Sequence, residues 1–284
     1  RGLCQMTIRK QLPTILAVSF LAIGPAFGRI KPLLYREPLQ GPVRTVVTEN
    51  AQLANDGTEI PGTRWNHLEA TYDANRRIVE EIEYGSIGKV MLRHVWACDV
   101  SGNITEILAY DRDERPSCRH ILTYDAEGHV SEITCFQPRI FYTSNAVDGG
   151  GGGSGLTFSY KLECTCDSEG RITAMLIRKS SGFITYKYQQ AYDERGRLIM
   201  YSRHSVDSDE DYEERYTYGE DGHVNEMLRF DGNGNLQKWH GYKYESDEHG
   251  NWVKRVEELP ITRDGKVEWG PVKATYRKIQ YFEK

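Results

Sequence analysis

The acidic run Asp207-Ser-Asp209-Glu-Asp211 puts carboxylates at alternate positions, as calcium-binding loops do. It lacks the turn glycine and the distal Glu of such loops, so a solvated acidic loop explains it as well. Asp231-Gly-Asn-Gly-Asn235 is a similar case, better explained by a turn. No metal or other cofactor is expected. Cys118 and Cys135 flank a turn at Ala126–Glu127 almost symmetrically and are the candidate disulfide; a glycine bulge there would shift the pairing by one residue and place them on opposite faces. Cys164 and Cys166 lie on one side of a strand, without a second pair at zinc-ligand spacing. His129, His223 and His249 fall at or beside turn glycines, where exposed flanks are the ordinary outcome. Adjacent acids such as Glu80–Glu81 and Glu213–Glu214 would point to opposite faces of a strand, so neither pair can act as a glycosidase couple. The chain carries no nucleophile elbow, no zinc-helix motif and no phosphate-binding loop. A non-enzymatic protein is expected.

Aromatic residues are the remaining chemistry. Tyr186 and Tyr188, Tyr216 and Tyr218, and Tyr242 and Tyr244 fall in same-face pairs, with Trp239, Trp252 and Trp269 nearby. Exposed, such rings stack on sugars or dock a protein; buried, they form the inner face of a sheet, which is the commoner outcome.

These residues sit between copies of one phrase: an aromatic or Cys, usually an Asp, a polar turn, a Gly, a polar residue and an aliphatic. The copies are Cys98–Ile104, Tyr124–Val130, Cys166–Ile172, Tyr192–Leu198, Tyr218–Val224 and Phe230–Leu236, with a longer one at Tyr244–Val253. In a weaker copy, Tyr72–Ile78, Asn75 is expected to take the left-handed position of the glycine. Asp bonds the turn backbone, Gly supplies positive φ, and the flanking aromatic and aliphatic meet across a hairpin. Gly170, Gly196 and Gly222 are 26 residues apart, a length of two strands plus two turns. The segments between turns are β-branched and aromatic, without a sustained helical period beyond the N-terminus. The fold class is all-β: tandem antiparallel hairpins in a curved meander.

The pattern resembles the YD repeat of Rhs and teneurin-type proteins, and is most similar to short secreted bacterial proteins with few repeats. The stretch Tyr242–Arg255 and the ending Tyr276–Tyr281 carry the likeness best. The resemblance implies a partial shell or open spiral, exposed outside the cytoplasm.

Arg9 and Lys10, the apolar run Ile15–Ile23 and Ala26-Phe-Gly28 read as a secretory signal ending at residue 28. Its removal takes away Arg1, Arg9 and Lys10 and no acid, making the net charge of −5 more negative by three. An acidic chain disfavours nucleic acid as a partner, and no stable membrane span is expected after cleavage. Residues 29–42 read as a lead-in and 43–284 as the repeat domain, either one sheet or two lobes (43–148 and 156–284) joined by Gly-rich 149–155. The leading expectation is an exported module, secreted, periplasmic or at a bacterial cell surface, binding a glycan or a protein. The alternatives are an accessory, immunity or encapsulation fragment of an Rhs-like toxin system, and an unrecognised hydrolase.

Overall fold

The computed structural model describes residues 39–283 apart from 86, 139–155, 209 and 264–265. The signal segment, most of the lead-in, the glycine run and Asp209 therefore lie outside the described residues.

The described chain is all-β. Its strands are β1 (Val43–Gln52), β2 (Trp65–Tyr72), β3 (Ile78–Tyr84), β4 (Val90–Cys98), β5 (Ile104–Asp111), β6 (Pro116–Tyr124), β7 (Val130–Pro138), β8 (Leu156–Cys166), β9 (Ile172–Lys179), β10 (Ile184–Tyr192), β11 (Leu198–Ser205), β12 (Tyr212–Tyr218), β13 (Val224–Asp231), β14 (Leu236–Ser246), β15 (Trp252–Arg263) and β16 (Lys266–Tyr281). Each pairs antiparallel with the next, and β16 pairs back onto β1, closing a barrel. The meander is as expected, but the open spiral or partial shell is not. An open sheet would leave two edges of unpaired N–H and C=O groups, and closure satisfies both. On either side of 139–155, β7 and β8 pair directly, from Glu132 with Glu163 to Pro138 with Leu156.

The repeat phrase builds each hairpin as its residue types dictate. At Asp193 the backbone N–H donates to Arg197 O at 2.9 Å, and Gly196 N–H donates to Asp193 O at 2.9 Å. The Asp193 carboxylate accepts from the N–H groups of Arg195 and Arg197 at 3.0 and 2.9 Å. The same arrangement recurs at Asp73, Asp111, Asp125, Asp167, Asp231 and Asp247. The flanking residues pair across the hairpin as expected: Tyr124 with Val130, Tyr192 with Leu198, Cys98 with Ile104. In the weak copy the left-handed residue is Arg76 (φ 65°), not Asn75. The turn bond runs from the N–H of Arg76 to Asp73 O, so position within the turn overrides residue preference. Glu114 (φ 58°) does the same in a turn at 111–115 that has no glycine.

Strand alternation sorts the turns onto two rims. Turns 26 residues apart share a rim, because two strands intervene; the 12-residue step from Gly222 to Gly234 crosses to the other rim along β13. On the shared rim, successive hairpins are stapled together. The Tyr124 hydroxyl donates to Ile104 O at 2.7 Å, Tyr192 to Ile172 O at 3.1 Å, and Tyr218 to Leu198 O at 2.7 Å. Cys166, standing where others have Tyr, approaches Val130 O at 3.4 Å. The residue after one turn glycine packs on the next: a Cβ on Gly170 would lie 2.8 Å from the His129 ring, so Gly170 is required both by its φ of 76° and by this contact. The staple continues through closure, where the Tyr281 hydroxyl bonds Asp247 and its ring stacks on His249 at 4.0 Å.

The two faces of the wall differ in chemistry. The face toward the barrel axis carries buried rows that cross the strands: Trp96–Ile107–His120–Cys135–Tyr160 and Ile133–Leu162–Ile177–Tyr186. Burying each large apolar side chain contributes about 1.5–3 kcal/mol. The outward face alternates charges between neighbouring strands. Arg119 pairs with Glu106 at 2.5 Å, Lys161 with Glu132 at 2.8 Å, Arg178 with Glu163 at 2.9 Å, Lys243 with Glu258 at 2.7 Å and Lys278 with Glu49 at 2.5 Å.

Candidate functional site

The structure separates the aromatic candidates into wall and rim. Tyr186, Tyr188 and Trp252 are buried. Tyr186, Tyr188, Tyr201 and Tyr212 form a continuous row on the inner face, with ring centroids 6.2, 5.8 and 6.1 Å apart. Arg203 lies over the rings of Tyr186 and Tyr212, and Arg229 lies 4.3 Å from the Tyr212 centroid. Glu214, 3 % exposed, anchors this band: it accepts from Arg229 at 2.5 and 3.0 Å and from the Tyr216 hydroxyl. Burial pushes the Tyr188, Tyr201 and Tyr216 hydroxyls well above the usual phenol range, which keeps them neutral donors. The band is packed ring on ring and cation on ring, and reads as wall.

Trp252 is likewise held, with Arg277 3.5 Å over its ring and Tyr244 edge-on at 6.0 Å. Trp239 packs edge-on against Trp269 at 4.9 Å. These contacts leave Trp239, Tyr242 and Tyr244 half-buried.

Tyr244 reaches the rim. There the 219–223 turn and β14 enclose an open cleft of about 560 Å³ lined by Glu220, Asp221, His223, Asn225, Lys243 and Tyr244. The His223 ring stacks on Tyr244 at 4.8 Å, 30° from parallel. This turn has Gly219 where its siblings have Asp. Asp221 takes over part of the capping by accepting from His223 N–H at 3.0 Å. The cleft thus offers a flat ring pair beside two carboxylates and one ammonium. Of the three turn histidines, only His223 lines it; His129 packs on Gly170 and His249 on Tyr281.

Of the three calcium candidates, two lie within the described residues. Asp211 is consumed by Ser205 N–H at 2.7 Å and by His204 Nδ1 at 2.5 Å. Asp207 is exposed, and Asp209 lies outside the described residues.

The cysteine expectation is corrected in one respect. The hairpin has its bulge, between Thr123 and Tyr124, but the bulge puts Cys118 and Cys135 on the same face, with Cys135 opposite His120. Without it, Cys118 would pair with Phe136, which is adjacent to Cys135 and faces the other way. The two sulfurs lie 3.1 Å apart as free thiols. Sequence reading passed over His120, although the Cys118-x-His120 spacing on one strand was the available signal.

No family model matches the chain, and no curated protein matches it. Among solved structures it is similar to a porin-like protein from Bacteroides uniformis, at 9 % identity over 85 % of this chain and 98 % of that one, with a TM-score of 0.47. A porin-like protein from Bacteroides vulgatus is 12 % identical over 83 % and 98 %, with a TM-score of 0.30. The TcdB2-TccC3 complex is 12 % identical over 77 % of this chain and 13 % of that one, also with a TM-score of 0.30. Likenesses this distant carry no argument about function.

Proposed function

We propose that this chain is an exported, non-enzymatic β-repeat barrel that binds a glycan through the cleft at the 219–223 turn. The observation that carries this reading is the His223–Tyr244 ring pair set beside Glu220, Asp221, Asn225 and Lys243. A pyranose presents an apolar C–H face and a ring of hydroxyls. The Tyr244 ring suits the first; the carboxylates, amide and ammonium suit the second. The cleft volume lies within the range of small-ligand sites.

The outward charges support a barrel wall that faces water. A lipid-facing barrel carries an apolar band, and one Arg or Lys at its midplane costs about 2–4 kcal/mol. Here Lys161 sits in mid-strand on β8, with Arg178 opposite it on β9.

A glycan array probed with the full chain tests the binding. A selective sugar signal is expected, and Tyr244→Ala should weaken it at least tenfold while the thermal transition shifts by only a few degrees. Equal binding by wild type and Tyr244→Ala, or no sugar bound by either, would remove the cleft from the account.

A further inference from the structure

We propose that Cys118, His120 and Cys135 form a binding site for a thiophilic d¹⁰ cation, zinc above all, inside the barrel wall. The three side chains come from β6 and β7 and face the axis, at 6, 5 and 0 % exposure. Their ligand atoms all lie within 4.8 Å of one another. The Cys118 Sγ is 3.5 Å from His120 Nε2 and 3.1 Å from Cys135 Sγ.

These separations are close to the edges of a zinc tetrahedron. With Zn–S near 2.3 Å and Zn–N near 2.0–2.1 Å, ideal edges are about 3.5 Å for S···N and about 3.8 Å for S···S. The first edge is in place; the second opens by a side-chain rotation of a few tenths of an ångström at each sulfur. Two thiolates and one imidazole are a soft set that selects zinc or cuprous copper over calcium or magnesium.

When the ion enters, the thiol protons leave to water, two Zn–S bonds and one Zn–N bond form, and nothing is oxidised. Tyr160, opposite Cys135 and 1 % exposed, closes the pocket on the β8 side. Three protein ligands leave the fourth position to water, the pattern of an open zinc centre.

Cobalt(II), added to the reduced full chain, reports the site through thiolate-to-metal charge transfer. One equivalent should develop the band, and zinc should displace it. Cys135→Ser should weaken cobalt binding at least tenfold; Cys164→Ser should leave it unchanged. Native mass spectrometry of the wild type needs no variant: the reduced, folded chain should retain one zinc ion. No charge-transfer band in the wild type would overturn the site. So would a band that survives Cys135→Ser, or a reduced wild-type chain that retains no zinc.

Discussion

Glu214→Ala is expected to lower the unfolding free energy by about 3 kcal/mol, since removing one partner of a buried ion pair strands the other charge. Glu214 is 3 % exposed, while Arg229 keeps a 31 % exposed side chain, which holds the effect toward the low end. The carboxylate is the shared acceptor for Arg229 and Tyr216, and Arg229 in turn stacks on Tyr212. Its loss therefore unsettles the Tyr186–Tyr212 row as well as one pair. The outward pair supplies the contrast: Arg119→Ala should cost under about 1 kcal/mol, because solvent already screens that charge. Chemical denaturation of the three proteins, with unchanged m-values, measures both numbers. Equal losses at the two sites would mean that the inner wall is as wet as the outer one.

A steep acid limb is the second large effect. At Asp73, Asp99, Asp111 and Asp231 the backbone N–H accepted by the carboxylate is the leading cause of a pKa held below the ordinary value. At Asp167, Asp193 and Asp247 desolvation pushes upward, but hydrogen bonds to backbone and side-chain donors outweigh it. A depressed folded-state pKa means that the unfolded chain binds protons more readily. The stabilisation is complete above the unfolded value of about 3.9 and is lost as pH falls through the folded values. Because these seven groups close turns of one cooperative sheet, their proton uptake adds. The contribution of these carboxylates should stay level between pH 5 and 7 and fall away below about pH 4. The denaturation midpoint recorded against pH gives the slope, and Asp193→Asn, which keeps an acceptor oxygen, should make it shallower. A midpoint that is flat down to pH 2 would mean that these turns do not depend on the carboxylates.

The hairpins were legible because their determinants are local. Asp193, Gly196 and the Tyr192–Leu198 pair lie within seven residues, and the 26-residue spacing states how many strands intervene. The Tyr hydroxyl staples were not legible: each acceptor is a backbone carbonyl 20 residues upstream, which any aliphatic residue supplies equally. Closure depends on β1 meeting β16 across more than 200 residues, set by twist and stagger accumulated over every strand. The turn at Glu114 was hidden because a non-glycine residue takes the left-handed position. The faces of Cys118 and Cys135 hung on one bulge, and a one-residue change in register moves every side chain to the other face. The cleft escaped the repeat logic for a related reason. It forms at the one shared-rim turn where Gly219 replaces Asp, so the departure from the pattern marks the site.

The central claim is a closed barrel whose charged outer wall faces water. Cysteines introduced singly at outward strand positions, Lys161→Cys, Arg178→Cys and Lys254→Cys, can be labelled with a charged maleimide on the full chain in the presence of lipid vesicles and read by peptide mapping. The account predicts labelling as fast as at the turn control Glu127→Cys, with or without lipid. Protection of all three wall positions by vesicles, with the turn position still labelled, would contradict it.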